Sequence, residues 1–346
     1  MDMEVVMANE LVTISDKVAF LKDPATYPSG VTNVQVIETH MSWVFLVNHF
    51  VYKLKKPVKS AVLDLSLLES RHINCREEVC LNRRLAPDIY LGIVPLGLSK
   101  TVRLILGGNG GVVDWLVKMK RIPDDQLLDY MIANNEVKED ELQYPAMLLS
   151  RYYKQAPPII TDSQQYLLKM KTEIRQLAEE LQQPVFSMPT KTIRRLFDTL
   201  LKFIMNHMPL FDERVKEGKI IEGHGDLKPA HIKTGPVPAI IDCLEFNVDL
   251  RILDAAEDLS GLAMECEHAG NKTVGCYFLK VYELVTGDRV KEALINFYKL
   301  KRALLRALLI ARHIPEPTYA TDSRWYESAQ SYLKQAAGYE KNLLAE

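Results

Sequence analysis

The sequence of 346 residues predicts an α+β chain in two lobes, a small antiparallel sheet first and a larger, mainly helical part after it. Three observations carry this. The length exceeds what one hydrophobic core usually serves. Residues 34–56 and 101–119 hold short runs rich in β-branched and aromatic residues, broken by turn residues. After Met119-Lys120-Arg121-Ile122-Pro123 the texture becomes helical. The expected organisation is a helical leader over 1–30, a sheet-bearing lobe over 31–122 and a helical lobe over 123–346.

In the leader, Leu11, Ile14, Val18, Phe20 and Leu21 recur at helical spacing and Asp23-Pro24 closes the pattern. The runs VQVIETH and WVFLVNHFVYKLKK read as strands, with Asn48-His49 as a hairpin turn. LLESRHINCREEVCLNRRL reads as a helix. TVRLIL and VVDWLVKM, joined by Gly107-Gly108-Asn109-Gly110-Gly111, read as a further hairpin. That glycine cluster is a turn rather than a phosphate cradle, because no helix follows it. In the helical lobe, Asp124-Asp125 and Pro189-Thr190 mark helix starts. The last long helical run, VKEALINFYKLKRALLRALLIARH, carries Lys301, Arg302 and Arg306, which read by default as a solvated basic face, with substrate contact the alternative.

Composition narrows the function classes. A formal charge of -2 gives no general attraction to nucleic acid or a membrane surface, so neither is expected as a partner. Five cysteines with no C-x-x-C pair point to reduced thiols and a cytoplasmic location. The opening MDMEVVMANELV lacks the Lys or Arg of a signal peptide, and no apolar run reaches the length of a membrane span, which predicts a soluble protein.

The chemistry concentrates in residues 221–246, IEGHGDLKPAHIKTGPVPAIIDCLEF. Asp226 and Asp242 flank a short hairpin and are expected at one mouth. His224-Gly225-Asp226-Leu227 is a loop with an acidic tip, where Gly225 lets the backbone pass. Ala239-Ile240-Ile241 reads as a buried strand ending on Asp242. Phosphoryl transfer needs two such acids, one to orient or deprotonate a hydroxyl and one to hold the metal on the nucleotide phosphates. An isolated H-G-D is nearly uninformative, and a His with two Asp also fits a metallohydrolase. The continuation through Glu245, Arg251, Asp254 and Asp258 favours the first reading. Asp258 is expected to cap a helix and brace the loop, and Arg251 to pin its segment through a carboxylate. Glu245 is either a further metal ligand or a surface acid.

The run resembles the catalytic loop and metal-binding strand of the aminoglycoside phosphotransferase-like branch of the protein-kinase-like superfamily, whose pattern is H-G-D-[LI]-H-x-x-N followed by [IV]-D. The family's Asn falls on His231, and Lys228-Pro229 is more like the loop of protein kinases. ETHMSWVFL, VYKLKKPV, LNRRLAPDIYLG, EGHGDL, IDCLEFN and TGD extend the resemblance over roughly residues 10–315 to a bacterial subfamily often fused to a P-loop ATP-binding domain, of which this sequence would be the kinase-like part. The resemblance implies a two-lobed protein-kinase-like fold and an ATP-dependent phosphotransferase acting on a small-molecule hydroxyl. It makes Asp226 the base, Asp242 the main metal ligand and His231 a second one. The phosphate-gripping Lys is Lys53 or its rival Lys55, held by Glu78 or Glu77. Backbone N–H groups and the hydroxyl of Thr39 or Ser42, in the glycine-free loop Glu38–Ser42, would meet phosphates. Backbone groups of Val117, Met119 and Lys120 would meet the purine edge. The implied cofactors are ATP and Mg²⁺, with Mn²⁺ the alternative because imidazole is a softer ligand. Glu265 and Glu267 read as acids for a cationic acceptor or as ordinary helix-surface acids. Two other functions fit the same residues: a nucleotide-binding regulatory protein with little transferase activity, motivated by His231 and the glycine-free loop, and a protein kinase, suggested by Lys228-Pro229.

Overall fold

A computed structural model describes residues 12–59, 63–108, 110–315 and 322–345, so that Leu11 and Asn109 lie outside the described residues. The chain separates into two compact units. The first runs to Leu127 and also takes in Val237–Asp249, and the second holds Leu128–Pro236 and everything from Leu250.

The first unit begins with helix α1 (Ile14–Lys22), opened by a reciprocal cap in which the Thr13 hydroxyl accepts from the Asp16 N–H and Asp16 accepts from the Thr13 N–H. Among the described residues its sheet has six strands: β1 (Gln35–Glu38), β2 (Ser42–Val47), β3 (Phe50–Lys55), β4 (Tyr90–Leu98), β5 (Leu104–Leu106) and β6 (Gly111–Lys120). Their spatial order is β1-β2-β3-β6-β4-β5, and every pairing is antiparallel. Val47 pairs with Phe50 across Asn48-His49, and Asn48 takes a φ of 49°, as a two-residue hairpin requires. The second expected hairpin is corrected. β5 pairs with β4, not with β6, so the glycine-rich link carries the chain from one side of β4 to the other. There the backbone passes against Leu98, whose carbonyl oxygen would lie 1.9 Å from a Cβ on Gly110.

Alternation along β3 divides its side chains between two layers. Tyr52 and Leu54 pack with Leu21 and Tyr27 from the leader side. Val51 joins Cys75 and Val79 of helix α2 (Leu68–Asn82) on the other side, which is the face that Lys53 and Lys55 share by the two-residue period. Ala239 packs into the same layer, and the Ile240 N–H donates to the Leu85 carbonyl at 3.2 Å. Residues 237–249, read from the sequence with the helical lobe, therefore belong to the first unit, with Ala239 in its core and Ile241 packed against it.

The second unit contains α3 (Leu128–Ala133), α4 (Glu139–Gln155), α5 (Ser163–Leu181), α6 (Thr190–Asn206), α7 (Met208–Lys216), α8 (Ala255–His268), α9 (Lys272–Thr286), α10 (Glu292–Ala311) and α11 (Ser323–Ala345). A large apolar cluster, with Leu196, Leu200, Phe297, Leu304 and Ala336 inside it, binds α5, α6, α10 and α11. Strand β7 (Ile220–Glu222) enters the H-G-D loop and pairs with β10 (Ile252–Asp254); between them in sequence come β8 (Ile232–Lys233) and β9 (Ala239–Ile240). Beneath this ribbon, buried Arg214 makes a bidentate pair with Asp254, both bonds 2.7 Å, and meets Asp288 at 2.5 Å. Removing one partner of such a buried set typically costs about 3–5 kcal/mol.

Candidate functional site

In the first unit, charge gathers on the α2-facing side of β3. Lys53 Nζ lies 2.9 Å from Glu78 Oε1 and 3.0 Å from Asp242 Oδ1. Lys55 Nζ pairs with the other oxygen of Glu78 and lies 2.5 Å from Glu245 Oε1. Glu78 is wholly buried while Glu77 is exposed, so helix α2 turns one of the two inward. The two lysines are not alternatives: they take opposite oxygens of one carboxylate. Burial pulls the Lys53 pKa down, but Asp242, Glu78 and Glu245 outweigh it and hold the group well above its ordinary value. Lys55 is raised in the same way, burial being outweighed by Glu245 and Glu78. Burial also opposes ionisation of Glu78, yet the two lysines hold its pKa below the ordinary value.

Asp242 sits at φ 60°, a conformation uncommon outside glycine. Two side chains hold it there. The Asp242 N–H donates to the Tyr90 hydroxyl at 3.1 Å, and the next N–H, of Cys243, donates to Asn82 Oδ1 at 2.9 Å. Asn82 lies one turn beyond Glu78 on α2 and donates back to the Glu78 carbonyl at 2.8 Å. One helix thus reaches the Asp242 segment by two routes. No feature of the spelling singles out Tyr90 or Asn82.

The other nucleotide expectations fare differently. Ser42 is buried at the start of β2, opposite Lys55, and its hydroxyl has no hydrogen-bond partner among the described residues. Val117 and Met119 are paired on both flanks, with β3 and with β4, and the N–H groups of Lys120 and Arg121 donate to the Ile89 and His49 carbonyls. A strand flanked on both sides commits its N–H and C=O groups to the ladder. The backbone groups of Val117 and Met119 that pair in the ladder are therefore committed, and the first irregular residues after the strand are 121–123.

In the second unit, Asp258 organises the H-G-D loop. Buried in the first turn of α8, it accepts from the His224 N–H at 2.6 Å, the Gly225 N–H at 3.2 Å and the Tyr153 hydroxyl at 2.9 Å. The bracing expected of Asp258 is present. The cap is another residue, Asp254, which accepts from the Ala256 N–H at 2.8 Å. The two glycines also divide their work. Gly225 has a φ of 85°, whereas a Cβ on Gly223 would stand 2.7 Å from Asp258 Oδ2. Arg251 pins its segment to Glu222 Oε1 at 3.0 and 3.1 Å.

Asp226 is flanked by cations on both oxygens. Arg306 Nη2 lies 2.6 Å from Oδ1 and Lys228 Nζ 3.3 Å from Oδ2. Arg306 also pairs through Nε with Glu265, which accepts from the Tyr332 hydroxyl at 2.9 Å. Arg302 donates to the Gly225 carbonyl at 2.9 Å and pairs with Glu257 at 3.0 Å, while Lys301 meets Glu257 at 3.1 Å. Glu267 pairs with Lys299 at 2.7 Å. The solvated basic face read from the sequence is corrected: these cations turn inward. Their partners lie up to 128 positions away, so helix periodicity alone could not find them. His231 is buried beside His224, ring centroids 5.7 Å apart, with Nδ1 2.9 Å from the Asp226 carbonyl. A carbonyl only accepts, so the His231 Nδ1–H donates to it. Among the described residues, no group of three or more His, Cys, Asp or Glu side chains is arranged to hold a metal. No helix there is long and apolar enough to cross a membrane.

Comparison with known proteins defines the fold. A choline kinase from Cryptosporidium parvum superposes over 95% of this chain and 96% of its own, with a TM-score of 0.57 at 13% identity. A choline/ethanolamine kinase family protein from Mesorhizobium loti covers 94% of this chain and 95% of its own, with a TM-score of 0.53 at 14% identity. LicA, solved in complex with AMP, gives 0.52 at 15% identity, over 95% of this chain and all of its own. The chain has the protein-kinase-like fold, with an antiparallel sheet and a larger helical part. In sequence, uncharacterized proteins of Mycobacterium tuberculosis and Mycobacterium bovis are 34% identical over 277 residues, 79% of this chain. The chain spans about half the length of these curated relatives, 54%. No family model matches it.

Proposed function

We propose that the chain is an ATP-dependent phosphotransferase whose acceptor is a hydroxyl of a small molecule. The arrangement of Lys53 between Glu78 and Asp242 carries the reading. Lys53 holds the α- and β-phosphates and Glu78 fixes it in place. Residues 121–123 meet the purine, while the Ser42 hydroxyl is covered and reaches the phosphates only if the start of β2 opens. The fold neighbours support this: two are a choline kinase and a choline/ethanolamine kinase family protein, and LicA was solved in complex with AMP.

Asp226 orients the acceptor hydroxyl and takes its proton. The residues fit a divalent cation: Asp242 presents a carboxylate 42% exposed, and Mg²⁺ usually takes one or two carboxylates, with substrate phosphates and water completing its shell. Asp242 would hold it, and His231 Nε2 would be the second, softer ligand. When bound, the ion neutralises charge on the phosphate oxygens.

Calorimetry with ATP and Mg²⁺ or Mn²⁺, beside an assay of ADP release with added alcohols, tests this. Asp226→Asn should keep nucleotide binding and lose about 10²–10⁴-fold in turnover, while Lys53→Ala should weaken binding. Turnover indifferent to Asp226→Asn would leave a nucleotide-binding regulatory protein. No heat with ATP under either ion would end the proposal.

A further inference from the structure

Beside Asp226 lies a cavity of about 20 Å³, room for one water, lined by Asp226, Asp258, Met264, Glu265 and Arg306 among others. Each of its carboxylates is committed. Asp226 holds Arg306 and Lys228, Glu265 holds Arg306 and Tyr332, and Asp258 holds the loop. A cationic alcohol entering here would have to displace a tethered guanidinium to find a carboxylate.

Resting on the reading above, we propose that the acceptor is an alcohol bearing a carboxylate or phosphate, and that this anion draws Arg306 away from Asp226. Arg306 uses Nε for Glu265 and Nη2 for Asp226, and Nη1 has no partner among the described residues. A guanidinium is a planar fork matched to carboxylate and phosphate oxygens. Arg306 and Lys228 occupy both oxygens of Asp226, so a hydroxyl meets the acid only when one of them moves. An anionic group on the acceptor replaces one carboxylate partner of Arg306 with another, at little net cost, and frees Oδ1 for the hydroxyl beside it. A neutral alcohol offers no such exchange. In the transfer itself the acceptor oxygen forms its bond to the γ-phosphorus, the bond from that phosphorus to the β,γ-bridging oxygen breaks, ADP leaves with the electron pair, and the hydroxyl proton passes to Asp226.

The test uses the full chain with D-glycerate and glycerol 3-phosphate as anionic probes, glycerol as the neutral one, and choline and ethanolamine as cationic ones. Binding is measured by calorimetry with and without ATP, and turnover by ADP release. The anionic probes should bind and turn over best. Arg306→Gln should raise their KM about tenfold or more and increase ADP release to water, because Asp226 is unlatched. Arg306→Lys should recover part of the KM, which a merely structural role would not predict, and it serves if the Gln variant fails to fold. Preferred binding of choline or ethanolamine, no binding of either anion, or an anionic KM indifferent to both Arg306 variants would overturn the inference. Absence of ATP binding would instead defeat the phosphotransferase reading, and the ATP-free titrations would still decide whether Arg306 recognises anions.

Discussion

The two charged clusters are built on different plans. Around β3, two lysines sit among three carboxylates, with Glu78 and Lys55 wholly buried, both lysines on β3 and Glu78 on α2. Around Asp226 the balance is even, with Arg306 shared between Asp226 and Glu265 and Lys228 on the second oxygen of Asp226. Lys53 and Arg306 are exposed to the same degree, and what sets the first cluster apart is the wholly buried Glu78–Lys55 pair that Lys53 joins. Ions held in low dielectric by several partners cannot exchange them without a penalty of several kcal/mol per ion, whereas partly solvated pairs exchange partners for little. The first cluster is a fixed mount and the second is one whose contacts can change during a reaction cycle.

The largest effect should come from breaking the fixed mount. Glu78→Ala removes the shared carboxylate from Lys53 and Lys55, and chemical denaturation should register a loss of about 3–5 kcal/mol. The acid limb of a pH titration checks the same point. The folded pKa of Glu78 lies below its ordinary value of 4.5, so its contribution is present above that value and is lost as pH falls through the lower, folded one. The high-pH limb mirrors it: Lys53 is raised above 10.5, so its contribution is present below that pH and is lost as pH rises through the folded value. A Glu78→Ala protein with unchanged stability would show that the mount is not rigid in the sense argued here.

An intermediate effect belongs to the brace of the H-G-D loop. Asp258→Ala leaves the His224 and Gly225 N–H groups and the Tyr153 hydroxyl without their acceptor, which should cost on the order of 3 kcal/mol. Because every partner of Asp258 lies in the second unit, nucleotide affinity should fall far less than with Lys53→Ala. Equal losses of ATP affinity in the two variants would erase the distinction between the clusters.

What could be read from the sequence follows from how local each signal is. The H-G-D loop, the strand running into Asp242 and the alternation that puts Lys53 and Lys55 on one face are short-range patterns, and all three are present. Helix periodicity narrowed the acid of α2 to neighbours but could not choose between Glu77 and Glu78, because that needs the rotation of α2 against the sheet. Arg302 and Arg306 were misread for a related reason. Amphipathic spacing identifies an apolar stripe, and it is silent on whether a cation at its edge meets water or a carboxylate from elsewhere in the chain. The link from β5 to β6 was read as a hairpin because adjacent strands usually pair, and only the register on β4 shows the crossover.

The smallest effect is at Tyr90, and it separates stability from geometry. Tyr90 is buried, and its hydroxyl does one visible thing for the site: it accepts from the Asp242 N–H at 3.1 Å. Tyr90→Phe keeps the ring and its packing against Cys75 and Val117 and should cost only about 0.5–1.5 kcal/mol of stability. The residue it releases is the one held at φ 60°, a conformation that persists only where its surroundings over-determine it. With the Cys243 N–H still held by Asn82, the Asp242 carboxylate should be less well placed rather than lost. The expected outcome is a rise in the Mg²⁺ concentration needed for half-maximal ATP binding, read by calorimetry, with little change in ATP affinity when metal is omitted. A variant that loses metal-free and metal-supported binding alike would mean that Tyr90 supports the whole mount around Lys53 and not the Asp242 backbone in particular.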